Sequence, residues 1–493
     1  MNFLSIDQST SSTTVFIFDK NLEISKKISR KHKQIYTQEG YIEHDANEIY
    51  DNLLNLIKEI KPFFKSSPDF ITITNQRETF VIFDKKSGEP LCNAVVWQCR
   101  RGQAICDELN KSNEVNKIIS DKTGLKLDTY FPASKLKWLL NHNSSIKDKV
   151  IKGEALFGTI DTYLIYRLTN CREYLTDSTN ASRTLLFNSK EQKWDKDLKT
   201  IFNLEFLELP EVKESSSLFG STTFDDLFDN DIKIFGVIGD SQASMVANQC
   251  FNIGDTKITL GTGACTLTNI GSELVSSKNA LTCLSFVDKG KPQYSFECLT
   301  AFAGATISWL ENNLNIIDSP QDSEKISIEI ADNGGVYLIP AFAGLSAPYW
   351  LPSAKGMFYG ITAASNFKHF IRASVESIAY QIVSYLEYLQ ENENIHIPKI
   401  IIDGGMIENK FLMQLISDLT QKEISTPTFP DMSAYGSLLI GLIGSGEYQN
   451  LEDLSRYKVE SKSYFPNKNE KLNTSFKEWK NIIEEHYVNI KSK

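Results

Sequence analysis

Two opposite charges sit side by side between two apolar runs, at Arg77 and Glu78 in ITNQRETFVIF, residues 73–83. Both ends of the stretch read as strand. Neighbours in an extended segment point to opposite faces, so Arg77 and Glu78 are not an obvious salt bridge with each other. Two more carboxylates close apolar strands, Asp7 in FLSIDQST and Asp240 in GVIGDSQASM. Asp7 either caps a turn or, beside a nucleotide phosphate, holds magnesium directly or through water. Asp240 precedes a small-residue segment that starts a helix. Its local sequence favours an N-cap, and the chemical alternative is a base that accepts a hydroxyl proton during phosphoryl transfer.

Hydroxyl-rich and glycine-rich turns supply the second kind of chemistry. QSTSST separates two short strands near the N-terminus, and Gly-Thr-Gly separates two strands in TKITLGTGACTLTNIG. Such turns aim backbone N–H groups and hydroxyls at phosphate oxygens, and two facing turns would clamp a triphosphate. There is no GxxxxGK[ST], which excludes a P-loop, and no ordered HRD and DFG pair of the protein-kinase type. IIIDGGMIENKFL offers a Gly-Gly turn that lets backbone approach a flat ligand such as adenine, or equally packs a strand tightly on a helix.

Strands and helices alternate around these turns. NEIYDNLLNLIKEI places Ile49, Leu53, Leu56 and Ile60 on one helical face. KHFIRASVESIAYQIVSYLEYL reads as a long amphipathic helix with Phe370, Ser374, Ile378 and Ile382 on one side. The alternation predicts an α/β protein. The two strand–turn–strand units fit a duplicated α/β domain with a cleft between the copies, or two unrelated hairpins, and pattern alone leaves both open.

The whole chain bounds the function. Its 493 residues exceed what one core organises, so two domains or more are expected. With 41% hydrophobic and 23% charged residues it falls in the soluble globular class. The net charge is -10 with no basic block, which argues against nucleic acid as a partner. The first residues lack a basic and apolar leader, and no apolar run approaches the roughly 20 residues of a spanning helix. Neither a signal peptide nor membrane insertion is expected. Eight scattered cysteines without a CxxC pair read as free thiols in a reducing compartment, and the six histidines form no zinc pattern. The cytoplasm is the expected location.

Taken in order, GYIEHDANEIY, ITNQRET, NAVVWQCRR, YFPASKLKWLLNH, FGTIDTYLIYRLT, TDSTNASRTLLFN, IPAFAGLSAPYW, HFIRASVESIAYQ and DGGMIENKFLMQ resemble the FGGY carbohydrate kinases, and among them the glycerol kinases. YFPASKLKWLLNH and GMFYGITAASNFKHFIRASVE are similar to the family's two signature segments. The resemblance runs from Phe3 to about Leu454. It implies two duplicated actin/hexokinase-like (ribonuclease H-like) domains with an active site in the interdomain cleft. The implied division is 1–250 for the first domain, 251–446 for the nucleotide-binding second domain and 447–493 for a helical tail packed on it.

The resemblance also implies roles. Arg77 and Glu78 hydrogen-bond polyol hydroxyls, the guanidinium donating and the carboxylate accepting. Tyr130 adds a hydroxyl contact, Trp97 is an aromatic wall and Asp240 is the base. Thr10, Ser11 and Ser12 line one phosphate hairpin and Thr262 its counterpart, while Gly304, Gly405 and Asn409 hold the rest of the nucleotide. ATP is the phosphoryl donor, and Mg2+ lies near Asp7 and Asp240. The expected partner is a small polyol, with the chain as a homodimer or homotetramer. The cluster around Arg77 argues against an actin- or Hsp70-type ATPase, which needs no polyol pocket, and Asp7 with Asp240 argues against a non-catalytic sensor.

Five positions depart from the glycerol-kinase pattern. Cys265 replaces a phenylalanine and Ser241 a glutamine in the substrate pocket. Ser308 replaces a glutamine beside the nucleotide, Thr14 an arginine next to the phosphate hairpin and Leu351 an aspartate. The first two shorten side chains, so a larger pocket and a substrate longer than glycerol, or a ketose, are the alternative expectation. Unfilled, that space costs the polyol about 1–2 kcal/mol of burial. TTFDDLFDNDIKIF lies where some bacterial relatives bind fructose 1,6-bisphosphate. Its acidity predicts no such binding here.

Overall fold

The computed structural model describes residues 2–488. Met1 and residues 489–493, the outer ends of the first and last expected segments, lie outside the described residues. The alternating N-terminal residues form an antiparallel hairpin, β1 (Asn2–Gln8) and β2 (Ser12–Asp19), extended by β3 (Ile24–Lys31). β4 (Phe70–Asn75) joins β1 in parallel, β6 (Ile232–Gly239) joins β4 in parallel, and β5 (Leu218–Thr222) closes that edge, giving the order β5-β6-β4-β1-β2-β3. β4 is buried at every residue, as a strand covered on two faces is, while β6 exposes Lys233 near its start.

The same plan recurs in the second half. β7 (Thr256–Leu260) and β8 (Ala264–Gly271) form the hairpin, β9 (Leu281–Asp288) and β10 (Lys291–Thr300) extend it, β11 (Ile400–Asp403) adds in parallel to β7 and β12 (Ile424–Pro427) in parallel to β11. With β13 (Ser461–Tyr464) at the edge, the order is β9-β10-β8-β7-β11-β12-β13. An antiparallel run of three strands in the first sheet and four in the second, each continued by two parallel strands, resolves the open question in favour of a duplicated α/β domain.

Helices cover these sheets where their apolar faces predict. α1 (Ala46–Ile60) starts at Asp45, whose carboxylate accepts from the Asn47 and Glu48 amides, and it buries Ile49, Leu53, Leu56 and Ile60 completely. α2 (Pro132–His142) lies in the first domain, followed by α3 (Asp240–Ala247), α4 (Gly304–Asn312), α5 (Phe367–Asn392), α6 (Lys410–Thr420), α7 (Met432–Gly444) and α8 (Glu470–Ile483). α5 differs from its amphipathic reading. Ile371, Val375 and Leu386 are buried as well as Ile378 and Ile382, while Phe370 is only half-buried. The helix is sandwiched in the second core rather than laid on a surface. α7 lies in sequence between β12 and β13 of the second sheet yet packs on the first, where the Ser437 hydroxyl meets those of Ser5 and Thr72 at 3.0 Å each. α8 returns to the second domain, its Trp479 indole donating to the Leu338 carbonyl at 2.8 Å. Among the described residues all eight cysteines are free, no His/Cys/Asp/Glu group has metal-cluster geometry and no helix is long and apolar enough to cross a membrane.

Candidate active site

The turn between β4 and the strand Phe80–Asp84 answers why two charges interrupt two apolar runs. Glu78 adopts φ +63°, unusual for a non-glycine residue, and the Thr79 amide donates to the Arg77 carbonyl at 2.8 Å. The tight turn sends the two side chains to different partners. Arg77 places Nη2 2.8 Å from a Glu297 oxygen and Nε 3.4 Å from Oδ1 of Asp240. Glu78 pairs instead with Nε of Arg183, whose Nη1 reaches the second oxygen of Glu297. Arg77, Glu78, Arg183 and Glu297 are all buried, and Glu297 comes from β10 of the other domain. The four form an alternating buried chain of charge. Burial opposes ionisation of Glu297, but Arg183 and Arg77 together outweigh it and bring the carboxyl down to about 2. Burial raises the Glu78 carboxyl, and Arg183 and Arg77 pull it back only in part.

Sequence reasoning missed Arg183 and Glu297. One segment, residues 176–183, does more than supply Arg183. Asn180 and Asn75 exchange amide hydrogen bonds at 2.9 and 3.0 Å, fixing the end of β4. The Thr179 hydroxyl accepts from the Gly239 amide at 2.9 Å, fixing the residue before Asp240. Asp177 caps the short helix Ser178–Ala181 that presents Thr179 and Asn180, and Arg183 follows its C-cap, Ser182.

Asp240 is the first residue of α3, and Gly239 rather than Asp240 stands at the N-cap. The capping reading therefore fails, and the carboxylate is half-exposed in the cleft. Its Oδ1 accepts from the Ser241 amide at 2.6 Å. The base of α3 is anchored on the second domain, since Ser244 and Asn248 donate to Asp403 at the end of β11, and so does Thr259 of β7. Asp403 is the aspartate of the Asp-Gly-Gly turn and had no role in the sequence reading.

Trp97 and Tyr130 meet edge to face with ring centroids 5.4 Å apart beside Arg77 and Glu78. The Trp97 indole donates to the Thr10 hydroxyl at 3.0 Å, so this aromatic pair touches the β1–β2 hairpin that carries Thr10, Ser11 and Ser12. His32 and Gln34 both reach the Thr10 carbonyl from behind, at 2.8 and 2.6 Å. Cys265 and Ser241 are half-buried at the Arg77 side, with the Cys265 thiol 3.7 Å from Glu297.

The facing hairpin is β7–β8. The Thr262 side chain is exposed at its tip, while its carbonyl accepts from the Ala303 and Ala305 amides at 3.1 and 2.9 Å. Gly304 opens α4 against this turn, and a Cβ there would lie 2.6 Å from the Gly261 carbonyl. In the Asp-Gly-Gly turn the glycine demanded by the backbone is Gly404, at φ +96° with the Leu260 carbonyl 2.4 Å from any Cβ, whereas Gly405 faces open space. Asn409 caps α6 through the Leu412 amide at 2.9 Å. Of the departing positions, Thr14 bonds Ser29 at 2.9 Å, Leu351 is buried and Ser308 is exposed on α4.

Asp7, the penultimate residue of β1, lies near Asp240 and Asp431. Burial, then the charges of Asp240 and Asp431, raise its carboxyl to about 7, with Lys27 opposing. Oδ1 of Asp7 and Oδ2 of Asp431 are buried with no hydrogen-bond partner among the described residues. Unpartnered carboxylate oxygens of this kind suit a hard divalent cation.

The cleft therefore joins two hydroxyl-rich hairpins, a buried Arg/Glu chain and a half-exposed aspartate. Residues 2–247 match the model of the FGGY family of carbohydrate kinases, N-terminal domain, and residues 256–445 its C-terminal domain. The chain belongs to the FGGY family of carbohydrate kinases. It is 40% identical over 486 residues to the glycerol kinase of Francisella philomiragia, covering 98% of this chain and 97% of that one. It superposes on the crystal structure of Plasmodium falciparum glycerol kinase with ADP at a TM-score of 0.91 and 35% identity, over 98% of each chain. A ligand-bound xylulose kinase from Lactobacillus acidophilus shares the fold at 20% identity and a TM-score of 0.86, over 99% of each chain. This FGGY chain thus has the two-domain kinase architecture that its duplicated sheets display.

Proposed function

We propose that this kinase transfers the γ-phosphoryl group of ATP to a terminal hydroxyl of glycerol, giving sn-glycerol 3-phosphate. The observation that supports it best is the convergence of Arg77, Glu78, Trp97 and Tyr130 beside Asp240 in the cleft. In this reading Arg77 donates to one polyol hydroxyl, Glu78 accepts from another, Tyr130 adds a third contact, and Trp97 covers the carbon face. Ser241 and Cys265 complete the pocket on the Arg77 side. Asp240 takes the proton of the terminal hydroxyl as its oxygen bonds to the γ-phosphorus and the bond to the ADP oxygen breaks.

Thr10, Ser11 and Ser12 on one hairpin and Thr262 on the other would contact the phosphates, with Gly304, Gly405 and Asn409 around the remainder of the nucleotide. Asp7 and Asp240 would hold Mg2+, which neutralises charge on the transferring phosphoryl group. Closure of the cleft would exclude water. The reading divides the chain at about residue 250, with residues 447–493 as a tail on the nucleotide domain. It sets the enzyme in the cytoplasm as a homodimer or homotetramer.

A second reading keeps the mechanism and changes the substrate. Cys265 and Ser241 are short side chains at the pocket edge, and a longer polyol or a substituted triose would use that space. The reaction itself is tested by incubating glycerol with Mg-ATP and identifying the phosphorylated product by mass and 31P NMR, with Asp240→Asn alongside. Glycerol 3-phosphate from the wild type, with turnover lowered by about 10^3-fold or more in the variant, is expected. Near-normal turnover by Asp240→Asn removes Asp240 from the base role.

A further inference from the structure

On the reading of the cleft as a polyol site, we propose that Lys135 is a positioning residue that clamps the Trp97 and Tyr130 walls together through three main-chain carbonyls. Its side chain is completely buried at the start of α2. Nζ donates to the carbonyls of Val96 at 3.2 Å, Trp97 at 3.1 Å and Tyr130 at 3.1 Å. An ammonium has three donors, and each meets one acceptor. Two acceptors belong to the substrate wall residues themselves, so a shift of Nζ moves the backbone from which both rings project.

General stability does not account for the residue. Among the described residues Lys135 makes no ion pair, and a buried charge without a counter-ion is costly. A cation in the first turns of a helix also opposes the helix dipole. A methionine would fill the same volume without either penalty. What the ammonium adds is the convergence of two segments that are distant in sequence and meet at the rings.

The surroundings set when the clamp is charged. Burial lowers the ammonium to about 8, while Cys99, Glu78 and Asp128 favour the charged form and Arg101 opposes it. Arg101 is itself paired with Glu43. Below about pH 8 all three bonds form. Above it the neutral amine keeps two N–H donors, and one carbonyl loses its partner.

The test compares KM for the polyol and for Mg-ATP between pH 7 and 9.5, in wild type and in Lys135→Met, using whichever of glycerol, dihydroxyacetone, erythritol, ribitol and xylulose the wild type turns over best. In wild type the polyol KM is expected to rise roughly five-fold through pH 8, with the ATP KM nearly constant. Lys135→Met is expected to show a polyol KM raised roughly ten-fold already at pH 7, kcat within about three-fold of wild type and no further rise with pH. A variant with unchanged polyol KM overturns the proposal, as does an equal rise in both KM values, which marks a merely structural role. If the variant does not fold, a flat wild-type polyol profile overturns it alone. An active wild type with an unaffected variant sinks this inference and leaves the proposed function standing, whereas a wild type that turns over no polyol sinks both.

Discussion

Arg183 and Glu297 form a buried ion pair across the cleft, one from each domain, and neither side chain is exposed to solvent. The same guanidinium holds Glu78, so the geometry of the carboxylate proposed to face the polyol depends on contact between the domains. Arg183→Lys keeps the charge but loses the planar fork that serves two carboxylates at once. We expect a polyol KM raised about ten-fold or more with a smaller change in the ATP KM. Steady-state kinetics with each substrate varied checks this, and equal effects on both would contradict it.

Glu297→Gln breaks a buried pair and leaves two arginines undercompensated, at a cost of about 3–5 kcal/mol in stability. The pH dependence follows from the same group. The Glu297 carboxyl lies at about 2 in the folded protein against an ordinary 4.5, so its stabilisation is present above pH 4.5 and is lost as pH falls toward 2. Urea midpoints at pH 7, 5 and 3 should converge between wild type and Glu297→Gln as the pH drops. A gap that stays constant would mean that the pair contributes nothing through ionisation.

How much of this could be read from sequence depends on the range of each interaction. The hairpins, Asp7 and Asp240 carry local signals, because apolar strands ending in small polar turns define them within ten or so residues. The pairs of Arg183 with Glu78 and Glu297 span 105 and 114 residues, and no local pattern encodes a partner at that distance. Glu297 did leave one trace, a lone carboxylate inside the apolar strand QYSFECLT, where an unpaired charge would be expensive. Within the Gly-Gly turn only the backbone reveals that Gly404 bears the positive φ while Gly405 faces open space. Asp240 read as a cap because Asp favours that position, and the helix starts one residue earlier than that reading needs.

Cys265→Phe restores an aromatic side chain at the pocket edge. If glycerol is the substrate, filling that space should lower its KM about five- to thirty-fold, the equivalent of about 1–2 kcal/mol of apolar burial. A raised glycerol KM, together with lost activity on a longer polyol that the wild type accepts, would show that the space is already used by the natural substrate.

The segment between β5 and β6 carries Asp225, Asp226, Asp229 and Asp231, with Phe224 and Phe228 turned inward. An acidic surface repels a bisphosphate. Adding fructose 1,6-bisphosphate at millimolar concentration should leave the rate unchanged. A saturable drop in rate would contradict this.

The central claim is the choice of glycerol as acceptor. The most direct measurement is ADP release with Mg-ATP against glycerol, dihydroxyacetone, erythritol, ribitol, xylulose and no acceptor, compared as kcat/KM. The account predicts glycerol about ten-fold or more above every other member. A weak glycerol rate beside a strong one for a longer polyol or a ketose would contradict it, and would assign Cys265 and Ser241 to a redirected pocket.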